Sequence, residues 1–132
     1  MISLTLPLPP ASLSANHKAP WQAHKRLKDD YSAEVVALAL EQLGGGFPTL
    51  NGPLRADILW RQTGHGDVDN CLHRMKVVFD ILGVAPKTAA GAHRSYLGLF
   101  GDDAQIACIC IRRLRVFQKT AQNLSITLTG EL

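Results

Sequence analysis

The sequence predicts an α+β fold: a small mixed β-sheet with two main helices packed against it, in the order β-α-β-α-β-β. Three observations predict it. Apolar residues alternate at Ile2, Leu4, Leu6 and Leu8, and again at Leu54, Ala56, Ile58 and Trp60, the period of strands with one buried face. Other apolar residues recur at helical spacing: Leu27, Tyr31, Val35 and Leu38, then Cys71, Leu72, Met75, Val78, Phe79 and Leu82. Two further apolar runs, in "IACICIRRLRV" and "LSITLTGEL", read as closing strands. Amphipathic helices beside such strands bury one sheet face.

The elements follow in order. Pro9 and Pro10 end the first strand, and "ASLSANHKAPW" is a polar loop holding Asn16, His17 and Lys18. A helix spans Trp21 to Leu43, basic in its first half at His24, Lys25, Arg26 and Lys28. The glycines Gly44 to Gly46 stop it, because glycine favours the position just past a helix end. "NGP" turns the chain into the second strand, and "TGHG" ends that strand. Asp69 or Asn70 is then the expected N-cap of the second helix. From Gly83 to Gly101 runs a long Ala/Gly-rich connection with Lys87, His93 and Arg94. Connections of that length inside a compact domain are usually functional or mobile. "GDDAQ" is a turn that opens the next strand. There are no repeats or low-complexity segments, and residues 1–132 read as a single domain.

Bulk properties exclude several classes. At 46% apolar residues the chain is no disordered tail. A net charge of +3 is mildly basic, which suits nucleic acid without requiring it. Cys71, Cys108 and Cys110 show no CxxC spacing. Cys108 and Cys110 fall on one face of a strand, and the odd count points to buried free thiols in a reducing compartment. The start "MISLTLPLPP" lacks the basic region of a signal peptide, and no apolar run approaches the ~20 residues of a membrane span. The expectation is a soluble, cytoplasmic protein.

The chemistry concentrates in "GHGDVDNCLHRMKVVFD", Gly64 to Asp80. At 100° per residue Asp69, His73, Lys76 and Asp80 share one polar stripe beside the apolar face. Asp67 stands just outside the helix. Two carboxylates crowded at a strand-to-helix junction raise each other's pKa unless a cation intervenes. A hard divalent cation removes the conflict, and Mg²⁺ needs only a few carboxylates plus water. Asp102 and Asp103 open a later strand, and Asp103 is expected to join Asp67 and Asp69. Such a site can drive metal-assisted phosphodiester cleavage, with Lys76 on the scissile phosphate or the attacking water. Each residue also has an ordinary role open to it. Asp69 and Asn70 can cap, Asp102 and Asp103 can form a turn, Lys76 can be a solvated lysine, and His73 can sit on a polar face.

With these residues in view, the chain resembles the RusA family of phage and prophage Holliday junction resolvases. The resemblance covers most of the chain. "LTLPLPPASLSANHKAPW" is similar to the family's N-terminal strand, its Pro-Pro turn and the Asn and basic residues after it. "DVDN" resembles its acidic motif, "MKVVFDIL" its lysine-bearing helix, and "DDAQI" its third acidic motif. The resemblance implies metal-binding acids at Asp67, Asp69 and Asp103 and a catalytic lysine at Lys76. It also implies a Mg²⁺-dependent endonuclease, acting as a homodimer that nicks symmetric strands of a four-way DNA junction. DNA-contacting candidates are Asn16, Lys18, Lys25, Arg26, Lys28 and Arg94. Some members have a shorter interval from acids to lysine, which would put His73 in the lysine's place; "MKVVFD" favours Lys76. Members often carry arginines immediately before the acidic motif, where this chain has "TGHG" and Arg61 further back. A non-catalytic nucleic-acid-binding phage protein with the same fold is the alternative. A phosphohydrolase of small substrates is a third reading, without the glycine loop that cradles phosphate.

Overall fold

The alternation at the chain's start folds as β1 (Ile2–Leu6), with Ile2, Leu4 and Leu6 buried and Ser3 and Thr5 exposed. The computed structural model describes residues 1–13, 20–44, 49–83 and 96–130, the side chains of Trp21 and Asp103 excepted. The other elements are α1 (Trp21–Leu43), β2 (Leu54–Thr63), α2 (Val68–Leu82), β3 (Ile106–Val116) and β4 (Asn123–Gly130). Single 3-10 turns occupy Ala11–Leu13, Asp103–Gln105 and Lys119–Ala121. This is an α+β fold with a small mixed sheet and two helices. Glycine ends α1 as expected, with Gly44 in the left-handed conformation at φ 74°.

The strand order is β1-β4-β2-β3. β4 runs antiparallel to both of its neighbours, while β2 and β3 are parallel. A parallel pair needs a crossover, and α2 lies within it. One sheet face carries Leu54, Ala56, Ile58 and Trp60 of β2 with Leu124, Ile126 and Leu128 of β4, all buried. These side chains join Val35 and Ala39 of α1 and Met75, Val78 and Leu82 of α2 in one core cluster. Burying each large aliphatic or aromatic side chain contributes roughly 1.5–3 kcal/mol.

Four sequence expectations are corrected. First, α2 begins at Val68, with Asp67 at the N-cap position, so Asp69 and Asn70 lie in the first turn rather than before it. Second, Leu72 is 44% exposed while Arg74 is 4% exposed. The buried arc of α2 is centred on Met75, Val78 and Leu82, and Leu72 falls about 20° past its rim at Phe79. Arg74 falls inside it. Third, the connection after Gly83 is not wholly a loop. Residues 84–95, with Lys87, His93 and Arg94, lie outside the described residues. Leu97, Leu99 and Phe100 are buried, and the N–H groups of Leu97 and Leu99 donate to the carbonyls of Ile81 and Leu82 at 2.8 and 2.7 Å. Fourth, only Cys71 is a buried thiol. Cys108 is half-buried and Cys110 exposed, because they share the sheet face opposite the helices. No helix among the described residues is long and apolar enough to cross a membrane.

Candidate active site

The acids stand where β2 passes into α2. Gly64 makes the turn at φ 74°, a conformation that suits a residue without Cβ. Asp67 follows in extended backbone at the N-cap position, and its side chain makes no capping hydrogen bond. Asp69 sits in the first helical turn, where the helix dipole favours a carboxylate. Both acids are exposed. Among the described residues neither has an ion-pair partner, so capping does not account for either. His73 and Lys76 are exposed and Asp80 half-exposed along the same stripe, as the helical spacing predicts.

Two arginines that sequence reading left out hold this junction. Arg113 on β3 donates from Nη1 and Nη2 to the Gly64 carbonyl at 3.2 and 3.3 Å. The guanidinium also packs against Gly66, where an added Cβ would lie 3.3 Å from Nε and Nη2. The loop can pass this close only because residue 66 has no side chain. The Gln122 side chain fixes the strand just before it, its Oε1 accepting from the Thr63 N–H at 3.0 Å and from Thr63 Oγ1 at 2.8 Å.

Arg74 braces α2 from beneath. Its Nη2 donates to the Pro9 carbonyl, and its guanidinium carbon lies 4.9 Å from the centroid of the Trp60 ring. No carboxylate pairs with it among the described residues. Burial lowers its pKa, opposed by Cys71 and Tyr31. Burial raises the Cys71 thiol, opposed by the nearby Arg113 and Arg74. Tyr31 donates to the Pro7 carbonyl at 2.7 Å, and burial with Glu34 nearby pushes its phenol far up, opposed by Arg74. The brace thus ties the acid-bearing helix to the segment leading toward Asn16 and Lys18, which themselves lie outside the described residues. A lone arginine inside an apolar helical pattern is the signal that could have found Arg74. Arg113 has none, because its role depends on the β2–β3 register.

Asp103 is not brought to the other two acids within one chain. β2 and β3 run parallel from Leu54 opposite Ile106 to Thr63 opposite Val116. Asp103 precedes the first of these pairs and Asp67 follows the last. The loop after Thr63 folds back only as far as the Arg113 side chain. The two positions therefore lie on the order of 20 Å apart along the strand. The turn before β3 also has a structural role. Asp102 Oδ1 accepts from the Ala104 N–H at 2.9 Å. Gln105 accepts from the Gly101 N–H and donates to the Leu50 and Gly52 carbonyls. Of the DNA-contact candidates, Lys25 and Arg26 are exposed on α1 and Lys28 is half-exposed, while Arg94 lies outside the described residues.

The donor set fits a hard divalent cation at Asp67 and Asp69. Two carboxylates supply part of an oxygen shell, and Mg²⁺ leaves its other positions to water and phosphate oxygens. Among the described residues no third His, Cys, Asp or Glu joins them in a metal-holding group. Compared with known proteins, the chain matches no protein-family model and no curated protein.

Proposed function

We propose that the protein is a Mg²⁺-dependent, structure-selective endodeoxyribonuclease that resolves four-way DNA junctions by paired nicks as a homodimer, in recombination and repair. One observation carries the reading: Asp67 and Asp69 present exposed carboxylates at a strand-to-helix junction, unused in capping, with Lys76 about two turns along the same stripe. Asp67 and Asp69 hold the cation and Lys76 contacts the scissile phosphate or positions the attacking water. Bound there, Mg²⁺ neutralises phosphate charge and activates water. Lysine stays protonated at neutral pH, which suits a fixed contact to a phosphate oxygen. The basic start of α1, with Lys25, Arg26 and Lys28, supplies backbone contacts that do not depend on base sequence. The resemblance to phage and prophage resolvases places this activity in the cytoplasm of a bacterial host.

The second reading is a non-catalytic nucleic-acid-binding protein. The 20 Å interval between Asp67 and Asp103 favours it, since one chain alone does not assemble three acids. A labelled mobile four-way junction separates the two. Nicking in Mg²⁺ that is lost in EDTA and in Asp67→Asn is the expected result. Tight binding without nicking in Mg²⁺ or Mn²⁺ would leave the second reading standing.

A further inference from the structure

The two edges of the sheet are treated differently. At β1, the Gln42 side chain covers the outer backbone: its Oε1 accepts from the Thr5 N–H at 2.8 Å and its Nε2 donates to the Thr5 carbonyl at 2.7 Å. That blocks further strand addition. At β3 no such cover exists among the described residues, and the strand pairs on one side only, with β2. It is also the longer edge, Ile106–Val116, with Ile109 40% and Leu114 38% exposed. A long, apolar, uncovered edge is a template for another strand. The register irregularity of the β2–β3 ladder lies near its start, between Leu54 and Arg55, and the pairing is regular from Cys108 to Val116.

The charge order along this edge selects the occupant. Asp102 and Asp103 precede the strand, apolar residues and cysteines fill Ile106–Ile111, and Arg112, Arg113, Arg115 and then Lys119 follow. A second copy running parallel would set arginine against arginine. A second copy running antiparallel sets each arginine-bearing half against an uncharged half and each acidic start beside a basic end. The register that pairs the whole strand centres on Ile111. It places Ile109 opposite Arg113, Cys110 opposite Arg112, and Ala107 opposite Arg115, with no arginine facing another.

We propose that β3 pairs antiparallel with β3 of a second copy about a two-fold axis at Ile111, joining two sheets into one. The reversal has a consequence for the proposed active site, and this part rests on the nuclease reading. The end of β3 in one copy lies beside Thr63, which leads into Asp67 and Asp69. The two-fold axis brings the start of β3 from the second copy to that same end. Asp103 of the second copy thereby approaches the acid pair it cannot reach in its own chain, and each dimer carries two composite sites.

Two measurements test this. The first is sedimentation of the wild type, Ile109→Arg and Ile109→Glu at micromolar concentration, with circular dichroism to check folding. Ile109→Arg faces Arg113 of the second copy twice per dimer and should weaken self-association about tenfold or more. Ile109→Glu faces the same arginines and should keep the dimer. A monomeric wild type, or a dimer untouched by Ile109→Arg, would overturn the pairing. The second is co-expression of Asp67→Asn with Asp103→Asn, read by Mn²⁺ binding and by junction nicking. Sites shared between copies leave one intact site in each mixed dimer, so about a quarter of wild-type sites and nicking should return. No recovery, from variants that are each inactive alone, would place all three acids within one chain. If the wild type binds Mn²⁺ and dimerises through β3 but cuts no DNA, the nuclease reading fails while the pairing stands; the Mn²⁺ recovery then decides the sharing alone.

Discussion

A guanidinium buried without a carboxylate must be compensated by dipoles and rings. Arg74 has the Pro9 carbonyl and the Trp60 face for this purpose. Arg74→Ala removes the cation, opens a cavity and orphans the Pro9 carbonyl. It should cost about 3 kcal/mol in urea unfolding. Arg74→Met keeps most of the volume and should cost clearly less, which would identify packing as the larger part. Tyr31 gives a second, pH-dependent test. Its ordinary phenol value is 10.0 and burial raises it in the folded chain. Burial likewise raises Cys71 from an ordinary 9.0. Both groups keep their protons longer when folded, so their contribution is complete below pH 9 and is lost as pH climbs through the alkaline range. The melting temperature should therefore fall above pH 9–10. Tyr31→Phe should flatten the part of that fall above pH 10, at the expense of the hydrogen bond to Pro7. At the reacting end, Lys76→Ala should lose cleavage at saturating junction by about a hundredfold or more, while His73→Ala keeps most of it. The reverse pattern would transfer the role to His73.

At the scale of elements, the strands and helices were legible because their periods differ and their ends are marked by glycine and proline. The α1 boundaries, the order of six elements and the polar stripe of α2 all follow from local pattern. What local pattern does not encode is pairing. The β2–β3 register, which sets Asp103 at the far end from Asp67, arises between segments distant in sequence. The exposure of Cys110 likewise depends on which sheet face the helices cover. The short irregular step before α2 shows the same limit: the sequence marks Gly64 and Gly66 as breakers, but only the fold shows Arg113 closing over them. This clamp is testable as an element. Arg113→Ala releases the Gly64 carbonyl contact and should cost about 1–2 kcal/mol of stability. Cleavage should fall by more than stability accounts for, since Asp67 follows directly on the released loop. Gly66→Ala should show the same activity loss with Arg113 present, because the new methyl would press on the guanidinium at 3.3 Å. An active Gly66→Ala would show that the loop's path is not held by this contact.

Over the whole molecule the charge balance is only +3, and the acids proposed to hold the cation carry negative charge toward any phosphate they approach. DNA affinity is therefore the sum of opposed terms. Lys25, Arg26 and Lys28 attract the backbone, and each phosphate contact removed should lower the salt slope by about one unit. Asp67 and Asp69 repel it when no cation is bound. At about 6 Å through water, each such charge opposes a phosphate by about 0.7 kcal/mol, roughly threefold in affinity. The double variant Asp67→Asn with Asp69→Asn should then bind a four-way junction about tenfold more tightly than wild type in EDTA. In a divalent cation the order should shrink or invert, because the wild type recruits a cation that bridges carboxylate and phosphate, and the variant cannot. Anisotropy titrations in EDTA and in Ca²⁺, at fixed ionic strength, measure both orders without cleavage. Wild-type affinity that ignores the cation, beside a variant equally tight in both buffers, would mean that the acid pair does not meet the phosphates. It would move the proposed function toward simple binding through α1.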